Sequence, residues 1–186
     1  MGQFTPRLDS TGMWQSKYWY EDNPYQQSGY GLPNCTAYAY GRVYELTNSK
    51  PTYLSLGNGG DWFVYNASEG KCEYGEEPRL GAIACWAEPG EAGHVAVVEQ
   101  INSDGSFVIS QSGHQRPLSE YPPNMSRYFW TNTCDGTSKK ASWMDSYTFQ
   151  GFIYPPGSEV PEPPIIKRKR KTNSRNKWYY FATRLR

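Results

Sequence analysis

Apolar positions recur at helical spacing in one long stretch of this chain. Cys35, Ala39, Val43 and Leu46 fall on one face, with Tyr38 and Arg42 at the i+3 places, and the pattern stops at Asn48 and Pro51. Asn34 is a favoured N-cap, and Pro33 keeps the chain before it out of the helix, so the helix is predicted to begin at Cys35. A shorter helix is predicted from Trp62 to about Ala67. It follows the turn Gly57-Asn58-Gly59-Gly60, which lacks the lysine and the strand-before-helix setting of a phosphate cradle. From residue 78 the pattern becomes that of strands, predicted over Pro78–Trp86, Gly93–Ile101 and Ser106–Ser112, near Tyr128–Thr131, and over Phe149–Tyr154. Asn102-Ser103-Asp104-Gly105 is a hairpin signal between the second and third. Helix first and antiparallel strands afterwards make an α+β plan. Residues 1–30 are polar and aromatic (Trp14, Tyr18, Trp19, Tyr20, Tyr25, Tyr30) and read as short helical or irregular structure wrapped on the domain. Within them Glu21-Asp22-Asn23 lacks the ligand pattern of a calcium loop and reads as a solvated loop.

Composition narrows this picture. A chain of 186 residues suits one domain with a sizeable core, and its wealth of Tyr, Trp, Gly and Pro favours strands and turns over a helical bundle. No apolar run reaches membrane-spanning length, and the start lacks the basic and apolar regions of a signal peptide, so synthesis in a cytoplasm is expected. Cys35, Cys72, Cys85 and Cys134 match no zinc spacing and are expected as free thiols, with Cys72 and Cys134 the pair to check for a bridge. The sequons at Asn34, Asn66 and Asn124 read as chance matches, since a glycan on Asn34 would block the helix entrance.

Charge divides the chain in two. The last twenty residues hold nine of the nineteen Lys and Arg and no acid; residues 1–166 therefore carry 10 bases against 18 acids, a formal −8, and the tail carries +9. Pro155, Pro156, Pro161, Pro163 and Pro164 form a linker before it. The domain is thus expected to span residues 1–156, with a Pro-rich linker and a basic, aromatic tail over 157–186. The tail reads as a solvated extension, a contact for an anionic polymer or nucleic acid, or the stub of a second module.

Chemistry concentrates at two points. A thiol in the first turn of a helix lies among unsatisfied N–H groups at the positive end of the dipole, which favours the thiolate; the plain alternative is a small buried hydrophobe. A nucleophile needs a base, and the chain has two histidines, His94 and His114. His94 opens a strand directly after Gly93. Alternation puts His94, Ala96 and Val98 on one face and Val95, Val97 and Glu99 on the other, so Glu99 is a poor partner, roughly 16 Å along the strand. A four-residue loop over Asn102–Gly105 would set Ile101 opposite Ser106, Ala96 opposite Gln111 and His94 opposite Gly113. Gln111 is then the diagonal neighbour of His94, about 5 to 7 Å away. A cysteine, a base and an orienting group are the parts of a cysteine acyl-transfer site.

The stretches Gly31-Leu32-Pro33-Asn34-Cys35-Thr36-Ala37-Tyr38-Ala39-Tyr40-Gly41-Arg42, Gly81-Ala82-Ile83-Ala84-Cys85-Trp86 and Gly93-His94-Val95-Ala96-Val97-Val98-Glu99, followed by Asp104-Gly105 and a strand, together resemble the CHAP family of cysteine, histidine-dependent amidohydrolase/peptidase domains. The resemblance covers roughly residues 10–156. It implies a papain-like α+β fold, with the nucleophile Cys35 at a helix start packed on an antiparallel sheet and His94 as general base. It also implies a peptidoglycan hydrolase, as in phage endolysins and bacterial wall hydrolases, that cleaves an amide or peptide bond through a thioester. In the third position the family shows Glu or Asn, where this chain has Gln111 and Gly113; Gln111 is taken as the orienting group. Gln27, Tyr30, Asn34 and Trp86 are candidates for oxyanion or substrate contact. No metal or cofactor is expected. The expected partners are bacterial peptidoglycan and, through residues 167–186, an anionic wall polymer, the chain acting as a monomer. The expected setting is the host bacterial cytoplasm, followed by action at the wall after release or as part of a phage particle. The rival readings are a wall-binding module without catalysis, an intracellular cysteine peptidase, and a nucleic-acid binder acting through the tail.

Overall fold

The computed structural model describes residues 4–9, 12, 13, 16–113 and 129–159. His114, Trp14, Tyr128, the Asn124 sequon and the basic tail lie outside them. A π-helical turn, Lys17–Glu21, and helix α1 (Pro24–Gln27) precede the long helix α2 (Cys35–Thr47). The start of α2 follows from local chemistry: Asn34 Oδ1 accepts from the N–H groups of Thr36 and Ala37 at 2.9 and 3.3 Å. Asn48, in the left-handed conformation, ends it. A 3-10 turn over Gly59–Asp61 leads into α3 (Trp62–Glu69), which runs past the expected end at Ala67 to Gly70 in the left-handed region.

Among the described residues six strands follow: β1 (Glu73–Gly75), β2 (Ile83–Ala87), β3 (His94–Ile101), β4 (Phe107–Gln111), β5 (Trp130–Cys134) and β6 (Thr148–Tyr154). They form one sheet in the order β1-β6-β2-β3-β4-β5, every pair antiparallel. The α+β expectation holds. β1 has no sequence signal, and its pairing with β6 makes it a strand. The strand expected from Pro78 starts only at Ile83, because the chain first turns through Gly81 at φ +76° and bridges Leu80 to Glu159.

Each face of the sheet carries a core. On one, Ile83, Cys85, Val95, Val97 and Ile153 pack against Ala39 and Val43 of α2 and Trp62 of α3. On the other, Ala84, Trp86, Ala96, Val98, Ile109 and Phe152 are closed by Ala141 and Met144. Cys72 packs on the first core and Cys134 lies in the second, so the sheet separates them and all four cysteines are free.

α2 is not the one-faced helix that its spacing suggests. Every residue from Thr36 to Tyr44 is buried, because Met13 and residues 16–25 cover its outer side. Gly41 makes this possible: a Cβ there would stand 2.3 Å from the Trp19 ring. Asn23, expected in a solvated loop, is fully buried and ties the wrap to the helix, donating to the carbonyls of Ala37 and Tyr18 at 2.9 and 3.2 Å. Its neighbour Asp22 pairs with Lys50.

The β3–β4 register differs from expectation at the loop and agrees with it near the site. Ile101 pairs with Phe107, one residue later than a four-residue loop gives, and a bulge between Val98 and Gln100 then restores Val97 opposite Ser110. The bulge leaves Glu99 buried on the helix face. Its carboxylate accepts from Arg42 Nε and Nη2 (both 2.8 Å), Ser110 Oγ (2.7 Å) and the Arg7 N–H (2.9 Å).

Candidate active site

Cys35 is the first residue of α2 and half-buried. Burial pushes its thiol pKa up, and the backbone N–H groups of Val95, Thr36 and Cys35 itself oppose that shift without cancelling it. The expectation of a favoured thiolate is therefore corrected: desolvation outweighs the helix end. The same contact fixes the geometry, because the Val95 N–H belongs to the peptide that joins it to His94.

His94 is 5% exposed and lies on the opposite face of the sheet from α2. Its ring is packed edge-on against Trp143 and Tyr147, with centroids 5.5 and 6.2 Å away, and tilted against Trp86 at 6.0 Å. Nε2 of His94 is hydrogen-bonded to Oε1 of the buried Gln111 at 2.6 Å. The structure thus brings Cys35, His94 and Gln111 to one end of β3 and β4.

The backbone of His94 is held by glycines that the sequence reading passed over. The Gly60 N–H donates to Ala92 O at 2.8 Å, a Cβ on Gly59 would be 3.1 Å from His94 Cα, and one on Gly93 (φ +65°) would be 2.5 Å from Gly60 Cα. The bulge of β6 opposite Cys85 and Trp86 aims Gln150 Nε2 at Gly60 O, 3.0 Å away. The Gly-rich turn that lacks the features of a phosphate cradle is the brace under His94. The signal for it was present, since consecutive glycines mark close backbone approach.

The other candidates are placed as follows. Asn34 spends its side chain on the helix cap. Gln27 donates to Glu21 O at 2.8 Å. Tyr30 is 65% exposed in the loop before Cys35. Trp86 is fully buried, donates to Lys139 O at 2.9 Å and supports the His94 ring, so its contact is with His94 and not with solvent. Among the described residues no group of three or more His, Cys, Asp or Glu could hold a metal ion, and no helix is long and apolar enough to cross a membrane. A cleft of about 1060 Å³ lies at the other end of α2, lined by residues 4–9, Glu45, Leu46 and 155–159, and none of the three site residues lines it.

Residues 23–113 match the CHAP domain. The chain is 37% identical over 105 residues to a Streptococcus mutans protein named only as a hydrolase, covering 56% of this chain and 36% of that one. It is 35% identical over 86 residues to the N-acetylmuramoyl-L-alanine amidase sle1 of Staphylococcus epidermidis, covering 46% and 25%. A crystal structure of an N-acetylmuramoyl-L-alanine amidase from Staphylococcus aureus aligns with TM-score 0.44 and 24% identity over 64% of this chain and 30% of that one. The chain spans about a quarter to a third of the length of these curated relatives.

Proposed function

We propose that the chain, whose residues 23–113 match the CHAP domain, is a peptidoglycan hydrolase that cleaves an amide bond of the cell wall by a Cys35–His94 mechanism. One observation carries the reading: the Cys35 sulfur lies against the peptide of His94, and Gln111 holds the far nitrogen of that ring. The thiol is protonated at rest, so His94 takes its proton as the sulfur attacks the carbonyl carbon. The oxyanion that forms is met by the Cys35 N–H, since the Asn34 cap takes the N–H groups of Thr36 and Ala37. Collapse breaks the C–N bond, and the imidazolium returns its proton to the leaving amine. Water, activated by His94, then attacks the thioester carbonyl and releases the acid and the thiol.

The name of the Staphylococcus epidermidis relative supports the bond between sugar lactyl group and stem peptide; a bond within the stem or cross-bridge uses the same steps. A phage-lytic setting and a role in a cell's own wall turnover are equally served by this chemistry. Mass spectrometry of purified peptidoglycan digested with the protein, with Cys35→Ala in parallel, tests the proposal. Peptide-free glycan with free stem N-termini is expected, and only from the unsubstituted protein. Wall binding without soluble fragments would make the chain a binding module, and fragments from Cys35→Ala would remove Cys35 from the mechanism.

A further inference from the structure

A chain of donors and acceptors runs behind His94, and its direction is fixed at its far end. Asn132 Oδ1, on β5, receives three groups: Gln111 Nε2 at 2.6 Å, Trp130 Nε1 at 3.0 Å and Trp143 Nε1 at 3.1 Å. An indole N–H only donates, so the atom of Asn132 facing both tryptophans must be its oxygen. The atom of Gln111 facing that oxygen must then be its NH₂, which turns Gln111 Oε1 toward His94. An amide oxygen only accepts, so His94 Nε2 carries the proton and Nδ1 is the basic nitrogen of the neutral ring.

We infer that Asn132, oriented by the indoles of Trp130 and Trp143, is a positioning residue that sets the tautomer of His94 through Gln111. Its catalytic consequence rests on the hydrolase reading above; the tautomer itself does not. The inference explains why the third position departs from Glu or Asn. A carboxylate at position 111 would face the Asn132 oxygen, acceptor against acceptor. A side chain at position 113 would enter the Trp130 ring, since even a Cβ on Gly113 would lie 2.7 Å from it. Gln111 and Gly113 are fitted to the strand beside them.

Nitrogen-15 NMR of histidine-labelled protein reads the tautomer directly, with the His94 signals assigned by their retention in His114→Gln. The expected result is a protonated Nε2 and an unprotonated Nδ1 in the neutral ring. Asn132→Leu should release Gln111 and mix the tautomers. On peptidoglycan its kcat should drop at least about tenfold, within the roughly 10²–10⁴ that general-base catalysis supplies, with KM little changed. Asn132→Asp keeps the triple acceptor and should recover both readouts. Gln111→Glu should lose activity despite restoring the family's carboxylate. Trp143→Phe removes one donor and keeps a ring against His94, so it gives a smaller shift in a folded protein should Asn132→Leu not fold. An Nδ1–H tautomer in the unsubstituted protein, an unchanged tautomer in Asn132→Leu or Trp143→Phe, or a gain from Gln111→Glu would overturn the inference. The expected tautomer without any cleavage of peptidoglycan would sink the hydrolase reading alone.

Discussion

Gly93 shows how much one residue without a side chain can carry. It sits at φ +65° immediately before His94, with Gly60 against it. Gly90 has a similar backbone, φ +79°, and open space around its Cα. Alanine at either position meets the left-handed penalty of about 1–2 kcal/mol. Only Gly93→Ala also drives a methyl into the Gly60 backbone, so it should unfold at lower denaturant than Gly90→Ala and displace His94. The outcome expected from paired urea titrations and hydrolysis assays is a further loss of stability, and most of the activity, at position 93 alone. At this scale the capped helix start at Cys35, the strand start at His94 and the approach of Gln111 to His94 were legible from the sequence, because a cap, a strand start and a hairpin are local patterns. Asn132 and the Gly59–Gly60 brace were not. Each acts on a residue distant in the chain, and no periodicity marks a contact between β4 and β5 or between a turn and a strand start.

The ion cluster joining α2 to β3 belongs to the scale of elements. Arg42 and Glu99 are 4% and 1% exposed, and Glu45 and Arg7 extend the pair toward the surface. Arg42→Leu strands a buried carboxylate and should cost about 3–5 kcal/mol in chemical denaturation. Arg42→Leu with Glu99→Leu removes both charges together and should recover much of that loss, leaving a double-mutant coupling that Arg42→Leu alone cannot show. The cluster explains a partial success of sequence reasoning. Counting from a four-residue loop misplaces the hairpin end by one residue, and the bulge at Glu99 shifts it back, so the register at Gln111 agrees through two offsets. The bulge was illegible because its stabilisation comes from Arg42, on another element. The helix was legible where Asn34 caps it, but its full burial was not, since the cover comes from Trp19 and Met13 upstream.

For the whole molecule, burial of acids that ionise at high pH sets a one-sided stability profile. Burial pushes the thiol of Cys134 up to about 12 and those of Cys85 and Cys72 upward, and holds the phenols of Tyr25 and Tyr53 above their ordinary range. A folded pKa above the unfolded one favours the protonated, folded chain. That contribution is complete below the unfolded values, about 8.5 for Cys and 10 for Tyr, and is lost as pH rises past them. Urea midpoints should accordingly fall between pH 8.5 and 11, and Cys134→Ala should flatten the first part of the decline; a flat profile would contradict it. The α+β plan of the molecule was legible from the change of period near residue 78. β1 was not, as its residues have no strand pattern of their own. The sheet also imposes an order in time. Cys35 approaches from the helix face, His94 projects on the other, and the groups that steady the base come from Asn132, Trp143 and Gln150, far downstream. On a ribosome Cys35 emerges early, and the surroundings of His94 are completed only once Asn132, Trp143 and Gln150 have been made. On the proposed mechanism a chain that stops short of Asn132 should therefore leave peptidoglycan uncut, so that synthesis itself delays the chemistry until the last strands are made.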